Sequence, residues 1–358
     1  MKNKNISFYY LFIFVLVVSV IILVESVGKP YLNNYLKDYE DSQYKHVAQS
    51  FLEDNFNAGG AEALAKLFSS QISELESQET IRVFFEEIIQ GTSFSNQSIS
   101  QGLNEDIKYI IKNSDNLKIA TLTVAPTGEY SHHGFELYEP SDVELNVNLL
   151  KSFSIEIPIG YHLKANGFSV DEKYCLNDKI YTDTQNFMPG GMDGIVYTTY
   201  QLNKMCAEPN FEVTSPDGIV TKIELLENGV YRADIVFNDK LAAEFSDYVI
   251  EATKAYACYL QKDAYFSSVS KYLDPSSSLY KMISSSPNWM VIDHTSYAFE
   301  DVTASEFYSY SDDVFSCRVT LTHVLKYPRL EDYRDSLDIT WYLRKINNKF
   351  LIYNSYTR

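Results

Sequence analysis

The chain opens with one unbroken apolar run, whereas the rest alternates between helical and extended patterns of hydrophobic and polar residues. The run "ISFYYLFIFVLVVSVIILV", residues 6–24, has 19 residues and no charge. As an α-helix it rises about 28 Å, which matches the hydrocarbon thickness of a bilayer. Lys2 and Lys4 precede it and Glu25 follows it, so the positive-inside bias predicts that residues 1–5 are cytoplasmic and the remainder lies outside.

A cleaved signal peptide is the alternative interpretation of this run. Signal peptides usually have an apolar core of about 7–15 residues, which is shorter than the run seen here. Val24-Glu25-Ser26 is a conceivable but poor cleavage site. The length favours an uncleaved transmembrane helix over residues 6–24, and the cleavage question stays open. The sequence contains no second apolar run of this length, which predicts a single span.

Residues 32–150 begin with helical patterns and continue with extended ones. Apolar residues recur every three or four positions over 44–56, and again in "AEALAKLFSSQISELE" and "QETIRVFFEEIIQG". The runs "IKYIIKN", "LKIATLTVAP" and "GFELYE" then predict short strands separated by turn residues. Helices followed by strands predict an α+β domain over 32–150.

Residues 151–237 carry strand and turn signals. In "SFSIEIPIGYHLKANGFSV" the residues alternate on both sides of Pro158–Gly160, and Asn166-Gly167 is a strong hairpin turn. The stretch "IVTKIELLENGVYRADIVF" predicts another hairpin. We therefore predict a small all-β unit over 151–237.

Residues 238–358 return to the order of helices and then strands. The stretch "DKLAAEFSDYVIEATKAYACYLQKD" predicts a long amphipathic helix, and "FSSVSKYL" and "SSLYKMI" predict two shorter ones. We expect long strands in "WMVIDHTSYAFEDV" and in "SEFYSYSDDVFSCRVTLTHVLKY", with a bend in the second at residues 311–313. The closing stretch "DITWYLRKINNKFLIYNSY" predicts a hairpin with its turn at Asn347-Asn348. Alternation along the second strand predicts an antiparallel sheet with one face buried against the helix; its apolar face holds Phe315, Cys317, Val319, Leu321, His323 and Leu325.

Charge and cysteine content narrow the classes of partner and cofactor. The net charge is −18, which opposes binding to nucleic acid and to anionic lipid but allows a small local basic patch. The four cysteines show no zinc-ligand spacing, so we predict no metal site. They allow three disulfide pairings; Cys258–Cys317 and Cys175–Cys206 keep each bridge within one predicted domain, and free buried thiols are the alternative.

The candidate chemistry is sparse. His323 lies on the apolar sheet face, Tyr256 and Tyr259 lie on the helix face, and Asp293 precedes a histidine at the start of a strand. A buried histidine beside a carboxylate could act as an acid–base pair, but no recognisable spacing supports one, so core packing is the favoured interpretation.

Other short motifs do not change this picture. His132-His133 points its two rings in opposite directions if extended, and the sequence has no P-loop, dinucleotide or nucleophile-elbow motif, so we predict no cofactor and no enzyme activity. Tyr308 and Tyr310 share one strand face and could stack on sugars or peptides.

The C-terminal third resembles the nuclear-transport-factor-like (cystatin-like) fold over about residues 240–358. The resemblance rests on the helix-then-strand order and on the closing hairpin residues Trp341, Leu343, Lys345, Lys349, Phe350, Ile352 and Tyr353. It implies a curved sheet and a long helix around a conical pocket, where isomerase and dehydratase relatives place Asp, His or Tyr. Residues 32–150 could be a second copy of this fold.

The whole layout is similar to that of uncharacterised, membrane-anchored envelope proteins of Gram-positive bacteria, and also to scaffold proteins of conjugative secretion channels. We therefore predict a single-pass membrane protein that acts outside the cytoplasm as a non-enzymatic binding or scaffold module, with an envelope protein or glycan as partner. A conjugative-channel scaffold subunit and a pocket enzyme of isomerase or hydratase type are the alternatives. Ligand, pathway and oligomeric state stay open.

Overall fold

The N-terminal apolar run forms a long helix in the computed structural model, which describes residues 3–90, 94–98, 107–285, 291–328 and 331–358. Helix α1 (Asn3–Leu23) continues through a π-helical turn (Val24–Gly28) into α2 (Lys29–Asp41). Within the described residues, Phe8–Asp41 is the one helix long and apolar enough to cross a membrane, and none of its most apolar 18 residues is buried. The helix covers residues 6–24, where the sequence predicts a transmembrane segment.

The described chain divides into two compact units. The first comprises Met1–Phe153 and Leu202–Asn210, and the second comprises Ser154–Gln201 and Phe211–Arg358. The remaining helices are α3 (Tyr44–Leu52), α4 (Gly60–Phe68), α5 (Gln78–Ile89), α6 (Asp239–Gln261), α7 (Phe266–Ser270) and α8 (Ser278–Ser285). The strands are β1 (Phe94–Ser98), β2 (Ile107–Asn113), β3 (Lys118–Tyr130), β4 (Glu136–Leu145), β5 (Lys151–Pro158), β6 (His162–Ala165), β7 (Phe168–Ser169), β8 (Ile180–Tyr181), β9 (Val196–Met205), β10 (Phe211–Thr214), β11 (Ile223–Leu225), β12 (Tyr231–Ala233), β13 (Ser296–Ser311), β14 (Val314–Lys326), β15 (Tyr333–Ile346) and β16 (Lys349–Thr357).

The first unit packs α3, α4 and α5 against the antiparallel sheet β1-β2-β3-β4. Helix α5 begins where the Ser77 side chain accepts a hydrogen bond from the Thr80 amide, which is the usual N-cap arrangement. Phe68 and Phe85 stack at 5.7 Å between their ring centroids, and both are buried in the core. The predicted order of helices followed by an antiparallel sheet is confirmed.

The histidine pair of the sequence lies in this unit, at the turn between β3 and β4. Asp38 on α2 accepts hydrogen bonds from the His133 amide at 3.0 Å and pairs with His133 Nδ1 at 2.7 Å. The rings of Tyr31 and Tyr35 meet the imidazole edge-on at 5.7 and 5.2 Å. His133 therefore fastens the helix that follows the apolar segment to the β3–β4 hairpin.

The second unit contains three sheets. The two smaller ones have the orders β10-β6-β7 and β11-β12-β5-β9-β8, and they share a core that includes Ile155, Leu163 and Val213. Residues 151–237, all of which the structure describes, contain strands and short 3-10 turns but no α-helix. The all-β character predicted for this stretch is confirmed.

The third sheet, β13-β14-β15-β16, is antiparallel and packs against α6. Asn238 caps α6 by accepting hydrogen bonds from the amides of Lys240 and Leu241. The β15–β16 hairpin turns at Asn347 and Asn348, both with positive φ, a conformation that asparagine tolerates better than most residues. The predicted helix-and-sheet layout and the α+β class are confirmed.

Strand β13 differs from the prediction. The sequence suggested that one strand ends near Val302 and that the next begins near Ser305, but Ser296–Ser311 form one strand. Asp301 and Glu306 adopt positive φ of 52° and 53°, and the register with β14 shifts near both residues. The breaks in alternation are thus β-bulges within one strand rather than a turn between two strands.

Candidate binding site on the outer face of the C-terminal sheet

The C-terminal sheet has one face toward α6 and one away from it, and side chains fill the middle of the α6 face. Trp341 on β15 is only 2% exposed, and its Nε1 donates a hydrogen bond of 2.8 Å to Thr253 Oγ1 on α6. Phe315, Val319 and Leu343 are buried beside it. The alternation along β14 therefore assigned this face correctly, and the face forms a packed core.

The two tyrosines singled out on α6 belong to this core. The ring of Tyr256 meets Trp341 edge-on at 5.7 Å between centroids. The Tyr259 hydroxyl donates a hydrogen bond of 3.1 Å to the carbonyl of Ile283 in α8. These contacts give both side chains a packing role.

His323 is also buried, with an exposure of 1%, and it stacks on Phe299 at 4.7 Å. Its two ring nitrogens have no hydrogen-bond partner in the described part of the chain. Burial lowers the pKa of His323, although the charges of Asp263 and Asp335 act in the opposite direction. Asp293 is exposed; the structure instead brings Asp263 to 3.1 Å from His294 Nε2.

In the structure the four cysteines are not joined by disulfides. Burial raises the pKa of Cys317 and of Cys258, and it raises that of Cys206 to about 12. Cys206 belongs to the first compact unit and Cys175 to the second. The pairings Cys258–Cys317 and Cys175–Cys206 stay predictions, which the intact mass before and after reduction would check. No group of three or more potential metal ligands occurs among the residues that the structure describes.

The opposite face of the same sheet bears an open cavity of about 520 Å³. We call it the outer groove. Six aromatic side chains line it: Phe187, Phe237, Tyr308, Tyr310, Tyr342 and Tyr356. Strands β13, β15 and β16 supply the four tyrosines, whereas Phe187 comes from the 3-10 turn Asp183–Phe187. Tyr308 and Tyr310 both face the groove, as their shared strand face predicts.

The rings of the outer groove support one another. Phe187 stacks in parallel on Tyr342 at 4.8 Å with an interplanar angle of 10°, and it lies 5.4 Å from Tyr356. Tyr308 meets Tyr310 edge-on at 5.0 Å. The Tyr353 hydroxyl holds the turn by donating to the Phe187 carbonyl at 2.9 Å. These contacts fix the aromatic wall before any ligand arrives.

Neutral hydroxyl groups form the polar part of the outer groove. The Thr340 Oγ1 atom is buried, and it has no hydrogen-bond partner among the described residues. The Tyr310 hydroxyl lies 3.2 Å from Ser316 Oγ, and either oxygen can be the donor. Burial raises the pKa of Tyr308 to about 12, so its phenol is neutral at physiological pH.

The charged residues beside the outer groove are paired with one another. Arg318 donates to Glu306 at 2.7 Å and to both carboxylate oxygens of Asp338 at 2.8 and 2.6 Å. Arg358 donates to the second carboxylate oxygen of Glu306 at 2.9 Å. The Arg318 guanidinium also holds the pKa of Asp338 below its usual range. The site is therefore aromatic and rich in hydroxyl groups, and beside these ion pairs it carries the exposed carboxylate of Asp183.

Comparison with known proteins adds little to this geometry. No protein-family model matches the chain, and no curated protein matches it. Among solved structures, an "Ntf2 like protein involved in plasmid conjugation" aligns with 86% of this chain and 97% of its own length, at 12% sequence identity and a TM-score of 0.24. A match at that TM-score establishes neither a shared fold nor a shared activity.

Proposed function

We propose that this protein is a single-pass membrane protein whose folded units lie outside the cytoplasm and act as a non-enzymatic binding module at the cell envelope. The apolar helix supports the membrane location, because its most apolar 18 residues are not covered by any other part of the chain that the structure describes. Lys2 and Lys4, ahead of that helix, support a cytoplasmic N-terminus.

The observation that best supports binding is the contrast between the two faces of the C-terminal sheet. Around Trp341 the face toward α6 is filled, and its cavity of about 630 Å³ lies at the hairpin end beside Tyr248 and Phe350, whereas the outer groove is lined by six aromatic rings. Apolar, aromatic cavities with a few convergent polar groups are the usual form of ligand sites. We therefore place ligand binding at the outer groove.

The burial of His323 weighs against the alternative that this protein is a pocket enzyme. A general base must lie within about 2.6–3.2 Å of the substrate proton that it removes, or reach that proton through one water. His323 is only 1% exposed and its ring stacks on Phe299, so in the described part of the chain its nitrogens do not face a cavity from which a substrate proton could reach them. The scaffold alternative depends on self-association and would be tested by the oligomeric state in detergent.

Photo-crosslinking in intact cells tests the binding function. A benzophenone amino acid would replace Tyr356, which is 48% exposed and lines the outer groove. The control is the same replacement at Tyr333, which is 41% exposed on the same sheet and does not line the groove. We expect discrete adducts from position 356 and not from 333. Equal labelling at both positions, or no adduct at either, would contradict the proposal.

A further inference from the structure

We infer that the outer groove binds a neutral, short glycan segment. This inference rests on the proposed binding function and adds the chemical class of the ligand. The aromatic wall is the first support. A sugar ring exposes an apolar C–H face, and tyrosine and phenylalanine rings offer flat apolar surfaces on which such a face can pack. Tyr356 and Phe237 are 48% and 42% exposed at this groove, so their rings are accessible.

The unpaired Thr340 hydroxyl is the second support. Thr340 is only 8% exposed, and its Oγ1 has no hydrogen-bond partner among the described residues although it lines the groove. Buried hydroxyl groups are normally hydrogen-bonded, so an orphan at a cavity wall is free to bond a ligand hydroxyl. The Tyr310–Ser316 hydroxyl pair lies on the same wall. Hydroxyls both donate and accept, as sugar hydroxyls do, which makes the two sets complementary.

The charged residues around the outer groove favour a neutral sugar over an anionic one. The two arginines near the groove, Arg318 and Arg358, are already bonded to Glu306 and Asp338. Asp183 adds an exposed carboxylate to the groove lining. An anionic ligand would have to displace an existing ion pair and approach this carboxylate, whereas a neutral ligand would do neither.

The groove size and its polar groups favour a glycan over a peptide. About 520 Å³ lies within the range of small-molecule sites. Aromatic grooves also accept proline-rich peptides. A proline residue, however, offers the Thr340 hydroxyl only a backbone carbonyl acceptor, whereas a sugar hydroxyl can both donate and accept.

Ligand-observed NMR on the full chain in lipid nanodiscs tests the inference, and glycoside detergents must be avoided because they would compete. The probes are the neutral trimer of N-acetylglucosamine, the acidic trimer of galacturonic acid and a proline-rich decapeptide. We expect saturable binding of the neutral trimer, at least tenfold weaker binding of the acidic trimer, and no binding of the peptide.

Three variants locate the binding site. Thr340→Val removes the hydroxyl at nearly constant shape, and Tyr356→Leu removes an exposed ring with little effect on folding; each should weaken binding of the neutral trimer at least tenfold. Tyr333→Leu is the matched control and should change it less than twofold. Absence of neutral-trimer binding, or binding that neither groove variant weakens, would overturn the glycan assignment. Peptide binding at the groove would refute the glycan as ligand but not the proposal that the protein is a binding module. Crosslinking at Tyr356 tests that second proposal separately.

Discussion

Thr340→Val should stabilise the second unit, even though it removes a polar group from the proposed site. The Thr340 side chain is buried, and its hydroxyl has no partner in the described part of the chain. An unsatisfied buried hydroxyl is destabilising by about 1–3 kcal/mol. Valine has nearly the same shape and an equal or higher preference for strands. We expect a gain of about 1 kcal/mol, the low end of that range, which is roughly a fivefold change in the folded-to-unfolded ratio.

Urea unfolding of the full chain in nanodiscs, followed by tryptophan fluorescence, measures this change, because the buried Trp341 lies next to the substituted residue. Thr320→Val on the neighbouring strand β14 is a control for which we expect a loss rather than a gain of stability. Its Oγ1 is bonded to Thr303 Oγ1 at 2.7 Å, so the same substitution should reduce stability by about 0.5 kcal/mol. A loss of stability in Thr340→Val would mean that its hydroxyl has a partner, and the case for a ligand hydroxyl at that position would fail.

Three further predictions concern the core, the buried histidine and the junction after the apolar helix. Trp341→Phe removes the 2.8 Å bond to Thr253 and leaves a cavity, so the urea midpoint should fall by an equivalent of about 2 kcal/mol or more. Circular dichroism follows this unfolding because the variant lacks the Trp341 reporter, and an unchanged midpoint would contradict the packed-face description. Because the pKa of His323 is lowered in the folded state, its contribution to stability is present above its unfolded pKa of about 6.5 and is lost as pH falls through the folded pKa. His323→Phe should therefore flatten the stability profile below about pH 6.5, and a profile identical to that of the parent protein would refute this assignment. His133→Ala removes the contact with Asp38 and should raise amide hydrogen exchange in residues 131–135, whereas unchanged protection would show that the contact does not hold the hairpin.

The sequence predicted which face of strand β14 is buried, because strand alternation is a local property. Phe315, Val319 and His323 lie on the α6 side as their spacing required, and Asn347-Asn348 form the closing turn. The N-terminal helix followed in the same way from an uninterrupted run of apolar residues. Such local patterns can be interpreted without knowing which helices and strands pack together.

The outer groove could be predicted only in part, because it depends on long-range contacts. Alternation placed Tyr308 and Tyr310 on one face, but nothing local indicates that Phe187 stacks on Tyr342. The carboxylate that bonds His294 could not be predicted, for the same reason. Asp293 precedes His294 in sequence, yet the residue bonded to His294 is Asp263, which follows α6. Alternation along a strand shows on which face of the sheet a side chain lies, but not which loop covers that face.

Labelling of introduced cysteines in intact cells tests the central claim that the groove-bearing units face the exterior. In a Cys175→Ser background, which removes the partly exposed native thiol, Tyr356→Cys places a thiol at the exposed groove and Lys4→Cys places one ahead of the apolar run 6–24. With a membrane-impermeant maleimide we predict that intact cells label position 356 and that position 4 reacts only after permeabilisation. Labelling of position 4 in intact cells, with position 356 protected until lysis, would contradict the account.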